Sequence, residues 1–197
     1  MEWIEVPEKG LTLREVRTMT NRNVNLSDDL EKSVSAILAQ VKEGGDEAIR
    51  ALTKKFDGVD LTDFRVSESE IEEAVKAVGP EFLAVLKEAK ENIEAFHREQ
   101  VRKSWSKTFR DGVELGERFL PIQRVGVYVP GGRAAYPSTV LMDTVPAMVA
   151  GCPSVAMATP PGKDGKVNPN ILAAAYVAGV KEIYKVGGAQ GIGMLAY

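Results

Sequence analysis

Two glycine-containing turns carry the residues best suited to binding a ligand. Tyr128-Val-Pro-Gly-Gly follows the apolar run RVGVYV, and Gly187-Gly-Ala-Gln follows KEIYKV. Glycine lets a backbone approach a ligand closely, and a helix opening after such a turn offers free N–H groups to an anion. Ser138 and Thr139 begin such a helix after the first turn. The spacing indicates a ligand site, but a loop that needs positive φ angles explains the first turn about equally well.

A dinucleotide-binding spacing also occurs in the second turn, and its support is weak. Gly191, Gly193 and Ala196 match G-x-G-x-x-A after a predicted strand. The turn itself lies at Gly187-Gly188, which places Gly191 and Gly193 inside the following helix. Each glycine there costs the helix about 0.8–1 kcal/mol relative to alanine. The acidic residue expected about 20 positions later would fall beyond Tyr197, so the match to a dinucleotide fingerprint stays weak.

The chain contains one histidine, His97, and one cysteine, Cys152. His97 follows Phe96 on a long amphipathic helix without a nearby catalytic partner, which favours a structural role. Cys152 lies between Gly151 and Pro153 and is predicted to be a buried structural thiol rather than a nucleophile. One histidine and one cysteine cannot form a zinc site of the usual His/Cys type. The sequence predicts no catalytic residue and no metal ligand among its 197 residues.

Composition excludes several classes of protein. Hydrophobic residues make up 44% of the chain and charged residues 27%, with a net charge of −3. These values are typical of a globular protein and argue against a nucleic-acid binder, which needs a basic surface. No apolar run approaches the roughly 20 residues of a membrane helix, and the first residues do not form a signal peptide. We expect a cytoplasmic protein without nucleic-acid or membrane partners.

Elements predicted before residue 122 are mainly helical. Residues 1–25 are predicted to form an N-terminal arm, and residues 26–121 the mostly helical part of a first domain, ending in a β-hairpin. Gly44-Gly45 and Gly79 separate the predicted helices. Further local signals are a helix cap at Ser27, a short strand at Phe64–Val66, a capping box at Ser67 and Glu70, and a hairpin turn at Asp111-Gly112.

Residues 122–197 alternate strands with helices in the order β-α-β-α-β-α. This alternation predicts an α/β fold with a parallel sheet, and three such strands are half of a doubly wound domain. The chain ends at Tyr197 within a predicted helix, so we expect it to be the first part of a longer protein. We also expect the sheet to have an open edge near Val186. The apolar side chains of Ile192, Met194 and Leu195 should be incompletely covered. Both features should cause self-association.

Longer segments of the sequence resemble the histidinol dehydrogenase family. They are FHREQ, RVGVYVPGGRAAYPSTVLMDTVPAMVAGCPSV and TPPGKDGKVNPNILAAAYVAGVKEIYKVGGAQ. The resemblance covers nearly the whole chain, whereas the family's chains are more than twice as long. It implies that residues 122–197 form an incomplete Rossmann-like NAD-binding domain, truncated at its C-terminus.

The resemblance also implies an activity and two binding residues. Family members oxidise L-histidinol to L-histidine through the aldehyde with two NAD, as zinc-dependent homodimers. Tyr128 and Gln190 match positions that contact NAD, while the family's zinc ligands and its Glu-His acid-base pair have no match here. At Gly191 and Gly193 this chain differs from the family, in which alanine is common at these positions.

Three interpretations follow from this resemblance. The chain is the N-terminal part of a histidinol dehydrogenase that functions when complete, or a truncated or engineered fold fragment without catalysis. The third is a minimal module that retains some affinity for NAD. In each case we expect these 197 residues alone to be inactive, because hydride transfer needs a held substrate and a base.

Overall fold

The structure is a computed structural model that describes Gly10, Thr12, residues 28–131 and residues 134–197. The chain divides into two units, Met1–Ser35 and Ala36–Tyr197. In the first unit the Ser33 hydroxyl donates to the Asp29 carbonyl at 2.7 Å, within the first turns of helix α1. Apart from Gly10 and Thr12, the predicted arm at residues 1–25 lies outside the described residues, as does the predicted cap Ser27.

Two long helices precede the sheet, and each is bent at a predicted glycine. Helix α1 spans Asp28–Phe56 and has a non-helical φ of 53° at Gly45. Helix α2 spans Glu68–Arg98 and has a φ of 77° at Gly79. Only glycine adopts such angles readily, so the chain changes direction at these points. The predicted division of each segment into two helices is confirmed.

The capping box predicted at the start of α2 is present. The Ser67 hydroxyl accepts a hydrogen bond from the Glu70 N–H at 3.2 Å. The Glu70 carboxylate accepts one from the Ser67 N–H at 2.9 Å. These two bonds satisfy backbone groups that a helix start otherwise leaves unpaired. They also fix the position of Glu70, whose carboxylate points toward the sheet.

The predicted hairpin is formed by strands β1 (Trp105–Arg110) and β2 (Val113–Glu117), which pair antiparallel. Gly112 provides the turn with a φ of 73°. Every residue of β1 is exposed, and only Val113 of β2 is partly covered. The hairpin therefore forms without contributing a side chain to the hydrophobic core.

Three parallel strands form the sheet, as the sequence predicted. In chain order the elements are β3 (Arg124–Tyr128), α3 (Pro137–Val149), β4 (Ser154–Thr159), α4 (Pro169–Ala178), β5 (Glu182–Lys185) and α5 (Gly188–Ala196). The strand order is β3-β4-β5, with Val127 beside Met157 and Met157 beside Ile183. Each crossover contains a helix, which is the usual connection between parallel strands. The predicted α/β fold is confirmed.

The expectation of an open edge at β5 is wrong. The Val66 N–H donates to the Ile183 carbonyl at 2.9 Å, and the Lys185 N–H donates to the Phe64 carbonyl at 2.7 Å. Arg65 thereby forms an antiparallel bridge with Tyr184. The segment predicted as a short strand covers the outer side of β5. Among the described residues, the edge strand without a neighbour on its outer side is β3.

Helices cover both faces of this sheet. One hydrophobic cluster joins the sheet to α2, α3 and α4, and a second joins it to α1 and α5. The first contains Val127, Met157 and Ile183, and the second contains Val186 with Met194 packed against it. Leu195 packs on β3, 3.0 Å from where a Cβ of Gly126 would lie. Of the three apolar residues expected to lack cover, Ile192 is exposed, whereas Met194 and Leu195 are partly buried.

One lysine of α2 contacts a neighbouring helix. The Lys90 ammonium group donates to the Val177 carbonyl of α4 at 3.1 Å. Glu94 and Arg98 of α2 form an ion pair. The same helix face therefore contributes both a surface pair and a contact to the core helices. None of the described helices combines the length and apolarity needed to cross a membrane.

Candidate functional site

The two predicted turns meet at Pro160, beyond the carboxyl ends of the strands. A Cβ placed on Gly131 would lie 3.0 Å from Pro160 Cγ, and one placed on Gly187 would lie 2.7 Å from Pro160 Cβ. Real Cβ atoms need more space than the second distance allows, so Gly187 cannot take a side chain without movement of its neighbours. Gly131 follows β3, Pro160 follows β4 and Gly187 follows β5. Parallel sheets bind ligands at this edge.

Tyr128 connects the first turn to the second. Its hydroxyl oxygen accepts a hydrogen bond from the Gly188 N–H at 2.9 Å. Gly188 is the first residue of α5, where N–H groups have no partner within the helix. Its φ of 56° belongs to the left-handed region that favours glycine. The tyrosine hydroxyl thus satisfies one free donor at a helix start, and the two predicted motifs lie in direct contact.

Gln190 is buried rather than exposed to solvent. Its side chain is 1% exposed, and its amide nitrogen donates to the Asp57 carboxylate at 3.4 Å. Its amide oxygen lies 2.8 Å from where a Cβ of Gly188 would be. Gln190 therefore connects the second turn to the end of α1. Its predicted contact with NAD stays a prediction.

Sequence reasoning did not identify Asp57 as a site residue. In the sequence, 133 residues separate Asp57 from Gln190. Burial raises the pKa of the Asp57 carboxyl above its ordinary value. No local pattern could have paired these side chains, because the fold of the sheet brings them together.

A buried hydroxyl without a partner lies beside the first turn. Thr159, the last residue of β4, is fully buried, and its Oγ1 has no hydrogen-bond partner among the described residues. This oxygen lies 3.5 Å from where a Cβ of Gly131 would be. A buried polar group without a partner is costly and marks positions where a ligand or an ordered water commonly binds.

A cavity of about 480 Å³ adjoins this corner on the side of α2 and α4. Gly131 and Pro160 form one wall, and Ala74, Ile171 and Leu172 contribute apolar surface. Its polar lining includes Glu70, Glu73 and Lys166. Glu73 pairs with Lys166 at 3.6 Å, and Glu70 pairs with Lys185 outside the cavity lining at 3.1 Å. Tyr128 and Gln190 do not line it. A mainly apolar space with a few polar groups is typical of small-molecule sites.

Comparison with known proteins identifies the family. The family model described as "Histidinol dehydrogenase" matches residues 20–197. The chain belongs to the histidinol dehydrogenase family.

Individual histidinol dehydrogenases show the same relationship. The chain is 50% identical to the enzyme of Heliobacterium mobile over 194 residues, covering 92% of this chain and 46% of that protein. It is 47% identical to the enzyme of Chlorobaculum tepidum, covering 97% of this chain and 44% of that protein. The crystal structure of histidinol dehydrogenase from Elizabethkingia anophelis matches with a TM-score of 0.85 and 39% identity, over 93% of this chain and 42% of that one. The chain therefore spans less than half the length of these histidinol dehydrogenases.

His97 and Cys152 lie away from the contact between Tyr128 and Gly188. His97 Nδ1 lies 2.7 Å from the amide oxygen of Gln100, and its ring meets that of Phe96 edge-on. Cys152 was predicted to be buried but is only partly so, and both residues line a shallow groove beside Pro121. Neither residue contacts a nucleophile or a base among the hydrogen bonds of the described residues.

The described residues do not fit a zinc ion. In residues 28–131 and 134–197, with Gly10 and Thr12, no three histidine, cysteine, aspartate or glutamate side chains cluster closely enough to bind a metal. At the corner near Pro160, Gly187 has no room for a Cβ, a Cβ on Gly131 would be tightly placed, and the unpartnered Thr159 hydroxyl lies nearby, beside a cavity that would suit part of a dinucleotide.

Proposed function

We propose that this chain supplies the NAD-binding part of a histidinol dehydrogenase. The complete enzyme would be an oxidoreductase of histidine biosynthesis that oxidises L-histidinol to L-histidine through the aldehyde, using two NAD. The observation that carries the proposal is the hydrogen bond of 2.9 Å between the Tyr128 hydroxyl and the Gly188 N–H. It brings together the YVPGG and GGAQ motifs at the edge where parallel sheets bind ligands.

NAD supplies the hydride acceptor for both oxidation steps, and the residues of this chain bind and orient it. Tyr128 is partly buried at the end of β3 and offers a ring face and a hydroxyl to the cofactor. Gly131 and Gly187 permit the close approach of the backbone around Pro160. The adjoining cavity of about 480 Å³ is large enough for part of a dinucleotide.

Gln190 takes part through the turn that it supports. Gln190 is 1% exposed, and its carboxamide lies between the Asp57 carboxylate and Gly188. An amide that can both donate and accept suits cofactor hydroxyl groups. We therefore propose Tyr128 as the first contact with NAD and Gln190 as the second.

Catalysis by these 197 residues alone is not expected. We propose that the zinc of the complete enzyme and its acid-base pair involve residues other than those described here, and no step is assigned to the metal. Without a base to accept the alcohol proton, bound NAD cannot be reduced efficiently. Incubation of the purified chain with L-histidinol and NAD, with and without zinc, should produce no NADH. Formation of NADH free of host enzyme would contradict this expectation.

The cofactor site is tested by NAD titration of the chain. Binding should be weak, with a dissociation constant above about 1 mM, because few contacts offset the entropy lost on binding. Ligand-observed NMR measures affinities in this range. Tyr128→Ala should abolish the saturation-transfer signal of NAD, and Tyr128→Phe should reduce it. Tyr176→Phe, an exposed tyrosine of α4, is the control. Equal signals from the wild type and Tyr128→Ala would contradict the proposed site.

We also propose that the protein acts in the cytoplasm as a homo-oligomer, with a small-molecule substrate. The support for self-association is a group of exposed apolar side chains between residues 105 and 122. They are Trp105, Phe109, Leu115, Phe119, Leu120 and Ile122. Exposed apolar surface of this extent is typical of interaction sites. A monomer in light scattering at millimolar concentration would contradict this part of the proposal.

A further inference from the structure

Asp57 is a half-buried carboxylate that the proposed function does not use. It follows the last residue of α1, and its N–H donates to the Thr53 carbonyl at 2.8 Å. None of the ion pairs among the described residues includes it. A carboxylate removed from water without a cation lowers stability, so stabilisation of the fold does not account for Asp57. Its side-chain hydrogen bond is the one from Gln190.

The chemistry of this pair fixes the orientation of the Gln190 amide. An ionised carboxylate only accepts hydrogen bonds, so it must face the NH₂ end of the carboxamide. Asp57 Oδ2 lies 3.4 Å from Gln190 Nε2. The carbonyl end consequently faces Gly188, where Oε1 lies 2.8 Å from the position of a Cβ. Reversal of the amide would place two acceptors against each other at Asp57.

Asp57 also contacts the turn itself. Its Oδ1 would lie 3.2 Å from a Cβ on Gly187. One carboxylate oxygen therefore faces Gly187 and the other faces the Gln190 amide. Gly188 is the residue whose N–H donates to Tyr128. A single side chain that follows α1 thus lies beside both Gly187 and Gln190 of the GGAQ motif.

We infer that Asp57 is a positioning residue that sets the orientation of the Gln190 carboxamide and the Gly187-Gly188 turn for cofactor binding. It acts through Gln190 and does not touch the cofactor. The inference rests on the proposed function only where NAD is concerned. The orientation of Gln190 can be measured without any cofactor.

The first test follows the side-chain amide of Gln190 by NMR in the ¹⁵N-labelled chain. Its signal is assigned by its loss in Gln190→Ala. Asp57→Ala should accelerate hydrogen exchange of this NH₂ group at least tenfold, because its buried acceptor is gone. Asp57→Asn keeps an oxygen that can turn toward Gln190 and should remain within about threefold of the wild type. Unchanged exchange in Asp57→Ala would overturn the inference.

A matched control lies three residues away. Asp60 is exposed and pairs with the equally exposed Lys54 at 2.6 Å. Asp60→Ala should leave the exchange of the Gln190 amide unchanged. An equal acceleration in Asp60→Ala and Asp57→Ala would mean that loss of any carboxylate loosens this loop, which would overturn the specific role of Asp57.

A measurement on the unmodified chain covers the case in which Asp57→Ala does not fold. Burial is the cause that shifts the Asp57 pKa, so titration of its carboxyl carbon reports this environment. The side-chain ¹⁵N shift of Gln190 should change with the same midpoint. A Gln190 shift that stays constant while Asp57 titrates would overturn the inference.

The second test is a double-mutant cycle on NAD binding. Asp57→Ala and Gln190→Ala should each weaken binding several-fold, and the double variant should bind no more weakly than Gln190→Ala. Multiplied effects would show that Asp57 acts independently of Gln190 and would overturn the inference. Absence of NAD binding in the wild type would instead count against the proposed function, and the exchange experiment would still decide the role of Asp57.

Discussion

The corner at Pro160 and the hairpin region at residues 105–122 contrast in how they use side chains. At the corner, Thr159 and Gln190 are polar yet buried, and Gly187 has no space for a Cβ. In the hairpin region, large apolar side chains such as Phe109 and Leu120 are 57% and 68% exposed. In most proteins polar residues are exposed and large apolar residues are buried. The corner departs from this rule by burying polar groups, and the hairpin region departs from it by exposing apolar groups.

This contrast distinguishes two kinds of function. The unpartnered Thr159 hydroxyl is costly for folding, and we attribute it and the neighbouring glycines to the proposed cofactor site. Exposed apolar groups on a two-stranded sheet contribute little to folding, and we attribute them to the proposed self-association surface. The first region should therefore tolerate few substitutions, and the second should tolerate many without loss of the fold.

The largest effect should come from the same substitution made in the core and in the hairpin region. Leu141 in α3 is 1% exposed, so Leu141→Ala should lower the free energy of unfolding by about 2–5 kcal/mol. Leu120→Ala should change it by less than about 0.5 kcal/mol, because its side chain already contacts water. Urea denaturation followed by circular dichroism measures both. Similar losses of unfolding free energy in the two variants would contradict the proposed difference between the core and the hairpin region.

Local sequence signals predicted much of this architecture, because those signals act over a few residues. Gly45 and Gly79 bend the helices where expected, and Ser67 and Glu70 form their capping box. Contacts between distant segments were not predictable in the same way. The bridge from Arg65 to Tyr184 and the bond from Gln190 to Asp57 join residues more than a hundred positions apart. The covering of β5 and the burial of Gln190 follow from these distant contacts.

Within the site, glycine substitutions should separate steric exclusion from helix propensity. Gly187→Ala places a Cβ 2.7 Å from Pro160 Cβ and should destabilise by about 1–3 kcal/mol. Gly193→Ala gains about 1 kcal/mol of helix propensity. Its Cβ would meet the side chains of Leu38 and Val41 at 3.2–3.4 Å, and these can adjust, so the net change should stay within about 1 kcal/mol. A Gly187→Ala variant as stable as the wild type would show that the corner is not tightly packed. Thermal unfolding measures the stability of both variants relative to the wild type.

A smaller effect is expected from the ion pair at the rim of the cavity. Burial raises the pKa of Glu70, but hydrogen bonds from the Ser67 N–H and Lys185 outweigh it, and the pKa lies below the ordinary 4.5. A lowered pKa stabilises the fold above the unfolded value, and this stabilisation is lost as the pH falls through the folded value. The stability difference between the wild type and Glu70→Gln should therefore shrink between pH 6 and pH 3.

Denaturation at several pH values measures this difference. Glu73→Gln is the matched control, because Glu73 lies on the same helix and pairs with Lys166 while remaining 69% exposed. Its difference from the wild type should vary less with pH. A Glu70→Gln difference that grows on acidification would have the wrong sign and would refute the assignment of the lowered pKa to the folded state.

The smallest effect on stability should come from the hairpin, where we expect a change in assembly instead. Phe109→Ser together with Leu115→Ser removes two side chains that are more than half exposed, so the free energy of unfolding should change by less than about 1 kcal/mol. The same change should weaken self-association at least tenfold in sedimentation equilibrium, because it removes apolar surface that a second copy would cover. Thr108→Ser, on the same strand, is the control. A double serine variant that associates like the wild type would place the interface elsewhere, and a large loss of stability would mean that the hairpin supports the fold after all.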